Sequence, residues 1–126
     1  MLWPEHELLY LDWQPGVTPA GFRQGLIAAV TLTRVQALRR WITDNAHVYP
    51  LPPAEQLWLQ EHVLLSLNHS SLQRVAIVVP AALPRVVPES LIRSSRSLVS
   101  YEIKYFSTQA DAFHWVLAAP NLSASF

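Results

Sequence analysis

The sequence predicts one small α/β domain built on a mostly parallel sheet of four or five strands, and three observations predict it. The apolar pattern switches repeatedly between short strand-like runs and three-and-four spacing. Read along the chain, this gives strand, helix, strand, helix, strand, short helix, strand, helix. Of the 126 residues, 51% are apolar and only 14% are charged, a composition that folds rather than stays disordered. Residues 73–79 (QRVAIVV) are apolar without alternation, as in a central parallel strand covered on both faces. Strands joined by helices are normally parallel, because the crossover returns the chain to the same edge of the sheet. At this length folding buries somewhat more than roughly 60% of the unfolded surface, enough for a core without metals or disulfides. No Cys is present to supply either.

Each element has its own signal. Residues 7–13 (ELLYLDW) are rich in Leu, Tyr and Trp and stop at Pro15-Gly16, a strand followed by a turn. Thr18-Pro19 supplies an N-cap hydroxyl and a proline whose missing N–H costs nothing in a first turn. The helix it opens is expected over 18–38, burying Phe22, Leu26, Ala29, Val30, Thr33 and Ala37 and keeping Arg23, Arg34 and Arg39 wet. Residues 40–45 return to strand period, with Trp41, Thr43 and Asn45 on one side and Ile42 and Asp44 on the other. After Pro52-Pro53 a second helix is expected over 54–68, with Leu57, Trp58, Leu59, Val63, Leu64, Leu65 and Leu67 spread over more than one face. The third strand, 73–79, ends at Pro80. A proline-rich loop over 80–88 and a short helix over 88–96 lead to a strand at 99–106, whose polar Glu102 and Lys104 suit an edge. Thr108 opens a last helix through about 117, with Phe113, Val116 and Leu117 as its apolar side. The organised core spans about 8–117 of a single domain.

Composition excludes several functions. Nine basic and nine acidic residues balance to zero, without the electrostatic footprint of a nucleic-acid or polybasic membrane binder. No apolar run reaches the roughly 18 residues of a transmembrane helix, and the first residues lack the basic flank of a signal peptide. A cytoplasmic location is expected. The three glycines, Gly16, Gly21 and Gly25, form no phosphate-cradling fingerprint, and G-x-S-x-G, a Cys nucleophile and a His-x-x-x-His pair are absent. No catalytic residue, cofactor or metal site is therefore assigned.

The most suggestive cluster lies at the expected carboxyl end of the second strand, where open α/β sheets place their ligands. Asp44 could act as base or acceptor, His47 as proton carrier, and Asn45 and Tyr49 as orienting donors. With the 80–88 loop beside them, Leu51 and Leu83 would add an apolar wall. Such a pocket favours a small or elongated apolar molecule with one polar end. The plain alternative is that Asp44 and Asn45 bond the loop backbone as turn formers, with His47 and Tyr49 at the surface. His62 and His69, seven apart on the expected second helix, share a face but are too distant to chelate one metal alone. Glu55 and Glu61 read as solvated charges, and His114 as a partly buried ring. Arg93 and Arg96 among Ser90, Ser94 and Ser95 form only a weak anion signal. Five tryptophans, at roughly 150 to 250 Å² each, are hard for a small domain to hide without a partner.

Trp41-Ile42-Thr43-Asp44-Asn45, the proline loop into a helix carrying Leu57-Trp58, Arg74 through Pro80 (RVAIVVP), and Tyr105-Phe106 followed by 111–116 (DAFHWV) together resemble the small SpoIIAA-like (STAS-like) bacterial domains. The resemblance covers nearly the whole chain and is one of pattern. It implies β/α units wound as a superhelix, and a role as a regulatory partner of kinases and anti-sigma factors or as a cytoplasmic transporter module, with some relatives linked to lipid-like ligands. The anti-sigma antagonist branch carries a phosphorylatable Ser at the start of the helix after the second strand. This sequence has no Ser or Thr between Asp44-Asn45 and Pro52-Pro53 and departs from that branch. The extra leading strand of many relatives is expected to be shortened to Leu2-Trp3 or missing.

The expected function is a non-enzymatic regulatory or protein- or ligand-binding module. The alternative is a small enzyme, or a carrier of a small apolar, lipid-like molecule, using the 44–49 loop. A homodimer is expected, because so few charges leave apolar patches that monomers usually avoid. Its interface should include the Trp58 helix or the apolar sheet face.

Overall fold

The computed structural model describes residues 1–48, 51–79 and 98–118. In chain order these form β1 (Leu2–Trp3), β2 (Leu8–Asp12), α1 (Pro19–Gln36), β3 (Arg40–Asp44), α2 (Pro53–Leu59), β4 (Arg74–Val78), β5 (Glu102–Phe106) and α3 (Gln109–Leu117). The strands make one five-stranded sheet in the order β1-β2-β3-β4-β5. β1 pairs antiparallel with β2, and every other pairing is parallel, so β4 is internal and β5 lies at an edge, as the sequence predicts.

Register and alternation divide the side chains between the two faces of this one sheet. Leu8, Arg40, Arg74 and Glu102 align in one row, and Asp12, Asp44, Val78 and Phe106 in the last. Strand alternation sends these rows to one face. There Leu8, Ile42, Ala76 and Val78 pack against Ala112 and Val116 of α3. On the other face Leu9, Trp41, Val75, Ile77 and Ile103 pack against Phe22, Leu26 and Ala29 of α1 and Leu59 of α2. Each crossover moves one position in the same direction, and right-handed crossovers that do so lay their helices on one face. α3, after the last strand, closes the other. The order never reverses, so this sheet has no topological switch point of the kind that opens a crevice in doubly wound folds.

α1 begins as its sequence predicts: Thr18 Oγ1 accepts from the Gly21 N–H at 3.0 Å, with Pro19 in the first turn. It ends earlier than residue 38. Ala37 adopts φ +52° as a left-handed cap, its N–H bonding the Thr33 carbonyl, so Ala37 is exposed and does not join the buried stripe. Arg23 is not simply wet. It grips Glu55 through two bonds of 2.8 and 2.7 Å and lies 4.9 Å over the Trp58 ring, which also makes Glu55 a paired rather than a solvated charge. Glu61 is exposed as expected.

The second helix departs most from expectation. After Leu59 the chain widens into a π-type turn over Gln60–Leu64, where the Leu65 N–H reaches back five residues to the Gln60 carbonyl at 2.9 Å. Two interactions sustain that wider turn. Ser66 Oγ donates to the His62 carbonyl, and the hydroxyl of buried Tyr101, the residue just before β5, reaches the Leu64 carbonyl. The widening turns Val63, Leu64 and Leu67 into the core. His69 lies beyond it at φ +62°, so His62 and His69 do not share a helix face.

α3 starts with Thr108 Oγ1 capping the Asp111 N–H at 3.2 Å, as its sequence predicts. Its buried side is Ala112 and Val116, while Leu117 is 37% exposed and His114 is exposed rather than partly buried. Ala76 and Ala112 are both fully buried, so the helix axis approaches β4 closely. Trp13 and Trp41 are buried, and Trp3, Trp58 and Trp115 are each half-covered by a ring or guanidinium of this chain. No helix among the described residues is long and apolar enough to cross a membrane. The expected 88–96 helix, the 80–88 loop, Arg93 and Arg96 lie outside the described residues.

Candidate functional site

The carboxyl ends of β2 and β3 bring Asp12 and Asp44 side by side, on the face covered by the start of α3. Asp44 is 9% exposed and both of its carboxylate oxygens accept hydrogen bonds. Oδ1 accepts from the Ala46 N–H at 3.1 Å, closing a local turn. Oδ2 accepts from Gln109 Nε2 at 2.9 Å and, at a longer 3.4 Å, from the Tyr10 hydroxyl. Burial, then the charges of Asp44 and Asp12, push the Tyr10 hydroxyl up to about 12, so at neutral pH it is a donor. The Phe113 ring stacks over Trp3 at 4.9 Å and over Tyr10 at 5.5 Å. Met1, Trp3, Tyr10, Asp12, Gln109 and Phe113 line an open groove of about 260 Å³ beside this cluster.

Asn45 belongs to the opposite face. Its Oδ1 accepts from the Thr43 hydroxyl at 2.7 Å, and Thr43 Oγ1 accepts from Trp13 Nε1 at 3.0 Å. Its backbone N–H bonds the Val78 carbonyl and its carbonyl takes the Val48 N–H, so the chain turns at once after β3. Leu51 is buried on this same side, and Asn45 borders a small apolar cavity of about 40 Å³. His47 is exposed. Tyr49 and Leu83 lie outside the described residues. Among Asp44, Asn45, His47 and Leu51, then, Asn45 and Leu51 share one face and Asp44 lies on the other.

Alternation alone places neighbours 44 and 45 on opposite faces, so this division was legible. The partners of Asp44 were not. Tyr10 and Gln109 stand 34 and 65 positions away, and only the parallel register and the path of α3 bring them in. Equally hidden were Arg40 and Arg74 at the opposite edge. Arg40 Nε donates to the Val116 carbonyl at 2.7 Å, and Arg74 Nη1 donates to Trp115 and Ala118 at 2.6 and 2.9 Å. Cationic groups thus cap the carboxyl end of α3 while Asp44 and Asp111 sit at its amino end, each matching the helix dipole. No group of three or more metal-ligating side chains gathers among the described residues. Comparison with known proteins returned nothing: no family model, no curated protein and no solved structure matches this chain.

Proposed function

We propose that the chain is a non-enzymatic binding or regulatory module of the SpoIIAA-like (STAS-like) type, working in the cytoplasm. The element order and the one-directional winding of β/α units support the likeness, as does a two-residue antiparallel leading strand. One observation carries the non-enzymatic reading: the carboxylate best placed for chemistry, Asp44, is engaged at both oxygens by Ala46, Gln109 and Tyr10. A general base needs a lone pair aimed at substrate. Asp44 instead ties a turn, a strand and a helix together. The alternative reading, an enzyme or apolar-ligand carrier working through the 44–49 loop, has less support. The described part of that loop divides between two faces, and the apolar cavity beside it, about 40 Å³, falls far below the roughly 300 Å³ of small ligand pockets.

The reading includes a homodimer meeting through the α2 side, where Leu57 is 55% exposed and Trp58 half-buried. Light scattering that shows a monomer at high micromolar concentration removes that part. For the main reading, the native chain and the Asp44→Asn and His47→Ala variants are assayed on chromogenic esters, phosphoesters and thioesters. The three proteins are expected to be equally inactive. Turnover by the native chain that either substitution abolishes would overturn the proposal.

A further inference from the structure

At the amino edge of the sheet, away from Asp44, Arg40 and Arg74 are register partners on adjacent parallel strands and lie on the same face. With Gln73, Ser100, Glu102, Val116 and Ala118 they line a groove of about 280 Å³. Both arginines are partly buried, and neither forms an ion pair with a described residue. Each guanidinium directs two of its five N–H groups at backbone carbonyls: Arg40 at Val116 and His6, Arg74 at Trp115 and Ala118. The carbonyl bonds fix both planes, and the remaining N–H groups of each have no described acceptor. Ser100 Oγ accepts from the His69 N–H, which leaves its own O–H to donate, and the exposed Gln73 amide adds a further donor. The groove therefore presents two positive charges, held by their carbonyl bonds, and further donors from Ser100 and Gln73, against one carboxylate, Glu102, and the carbonyl end of α3 that the guanidiniums cap.

We infer that this groove binds the phosphoryl group of a phosphate monoester. Two pre-oriented guanidiniums and a hydroxyl call for three acceptor oxygens, which a phosphoryl group offers and a carboxylate does not. The carbonyl anchors remove most of the side-chain ordering cost that two arginines normally bring to an anion. Ala118, partly exposed at the end of α3, is the apolar contact left for the esterified carbon fragment, since Val116 is fully buried. Glu102, exposed at the rim beside Arg74, lowers the affinity. This site stands apart from the carboxyl-edge cluster and holds or fails independently of the reading given for it.

The test is a titration of the intact ¹⁵N-labelled chain at constant ionic strength with glycerol phosphate, with a phosphoserine tripeptide, and with acetate as the two-oxygen control. Saturable shifts are expected at residues 73–74, 100–102 and 116–118 with at least one phosphate probe, and weaker ones with acetate. The tighter of the two probes identifies a metabolite or a protein side chain as the source. Because Glu102 and Gln73 are exposed, Glu102→Gln and Gln73→Glu leave the fold intact. They should tighten and weaken binding respectively by about tenfold, as removal or addition of one nearby charge requires. No saturable shift, acetate binding as tightly as phosphate, or one affinity across native and both variants would overturn the inference.

Discussion

Gly25→Ala sets helix propensity directly against packing. In an exposed helix interior the change stabilises by about 1 kcal/mol. At residue 25, however, a Cβ would stand 2.6 Å from two carbons of the Trp13 ring. That ring cannot swing aside cheaply. Its Nε1 is bonded to Thr43 Oγ1 at 3.0 Å, and its face tilts against Phe22 at 4.7 Å. Overpacking a filled site costs about 1–3 kcal/mol. Moving the ring instead forfeits a buried hydrogen bond worth about 1 kcal/mol. A contact as short as 2.6 Å puts the cost at the upper end of that range, about 2–3 kcal/mol, so after the propensity gain the net loss is about 1–2 kcal/mol, read as a lower urea midpoint with an unchanged slope. Since the Trp13–Thr43–Asn45 chain also fixes the turn after β3, the variant should show amide shifts at Asn45 and Val48. Adding Trp13→Phe, which removes the clashing atoms, should make Gly25→Ala less harmful than it is alone. A Gly25→Ala protein as stable as the native one would refute the packing argument.

Three other outcomes follow from single contacts. Thr33→Val should destabilise by about 1–3 kcal/mol in urea unfolding, because Trp41 Nε1, 2.7 Å from Thr33 Oγ1 in the core, loses that acceptor, while Thr33→Ser should retain most of the stability. Ala37→Gly should raise stability by about 1 kcal/mol in thermal unfolding, since the residue sits at φ +52° and its Cβ is strained there. The third concerns alkaline pH. Tyr10 titrates at about 12 in the fold and near its ordinary 10 when unfolded, so its contribution is complete below pH 10 and disappears as pH rises towards 12. Tyr10→Phe should therefore lose less stability than the native chain between pH 10 and 12 in denaturant titrations. Equal losses would contradict the assignment.

Much of the fold was legible because its signals are local. Thr18 and Pro19 mark a helix start by chemistry within three residues, and the apolar run at Arg74–Val78 needs only its own composition to read as an internal strand. Edge placement of β5 followed from Glu102 and Lys104 alternating with Ile103 and Tyr105. What failed was non-local. The π-type turn after α2 depends on Tyr101 reaching a carbonyl 37 residues earlier, and no periodicity within residues 54–68 encodes it. Ala37 misread as core because the stripe continued past the point where the backbone turns left-handed. At the site, residue types were legible but their companions were not. Asp44 read either as a chemical group or as a turn former, and its bond from Ala46 is the turn former's, but the parallel register and α3 that bring Tyr10 and Gln109 onto it leave no mark in the loop.

The central claim is that Asp44 holds the structure together and performs no chemistry, and the stability of Asp44→Ala tests it most directly. Functional polar groups are commonly kept at a cost to stability, so removing them is neutral or stabilising. A structural carboxylate behaves in the opposite way. Asp44→Ala deletes its bonds to Ala46, Gln109 and Tyr10 and leaves the Ala46 N–H without that acceptor, with hydrogen bonds to charged groups worth about 1.5–3 kcal/mol each at best. Urea unfolding should show a loss of about 2–4 kcal/mol. An Asp44→Ala chain as stable as the native protein, or more stable, would contradict the account.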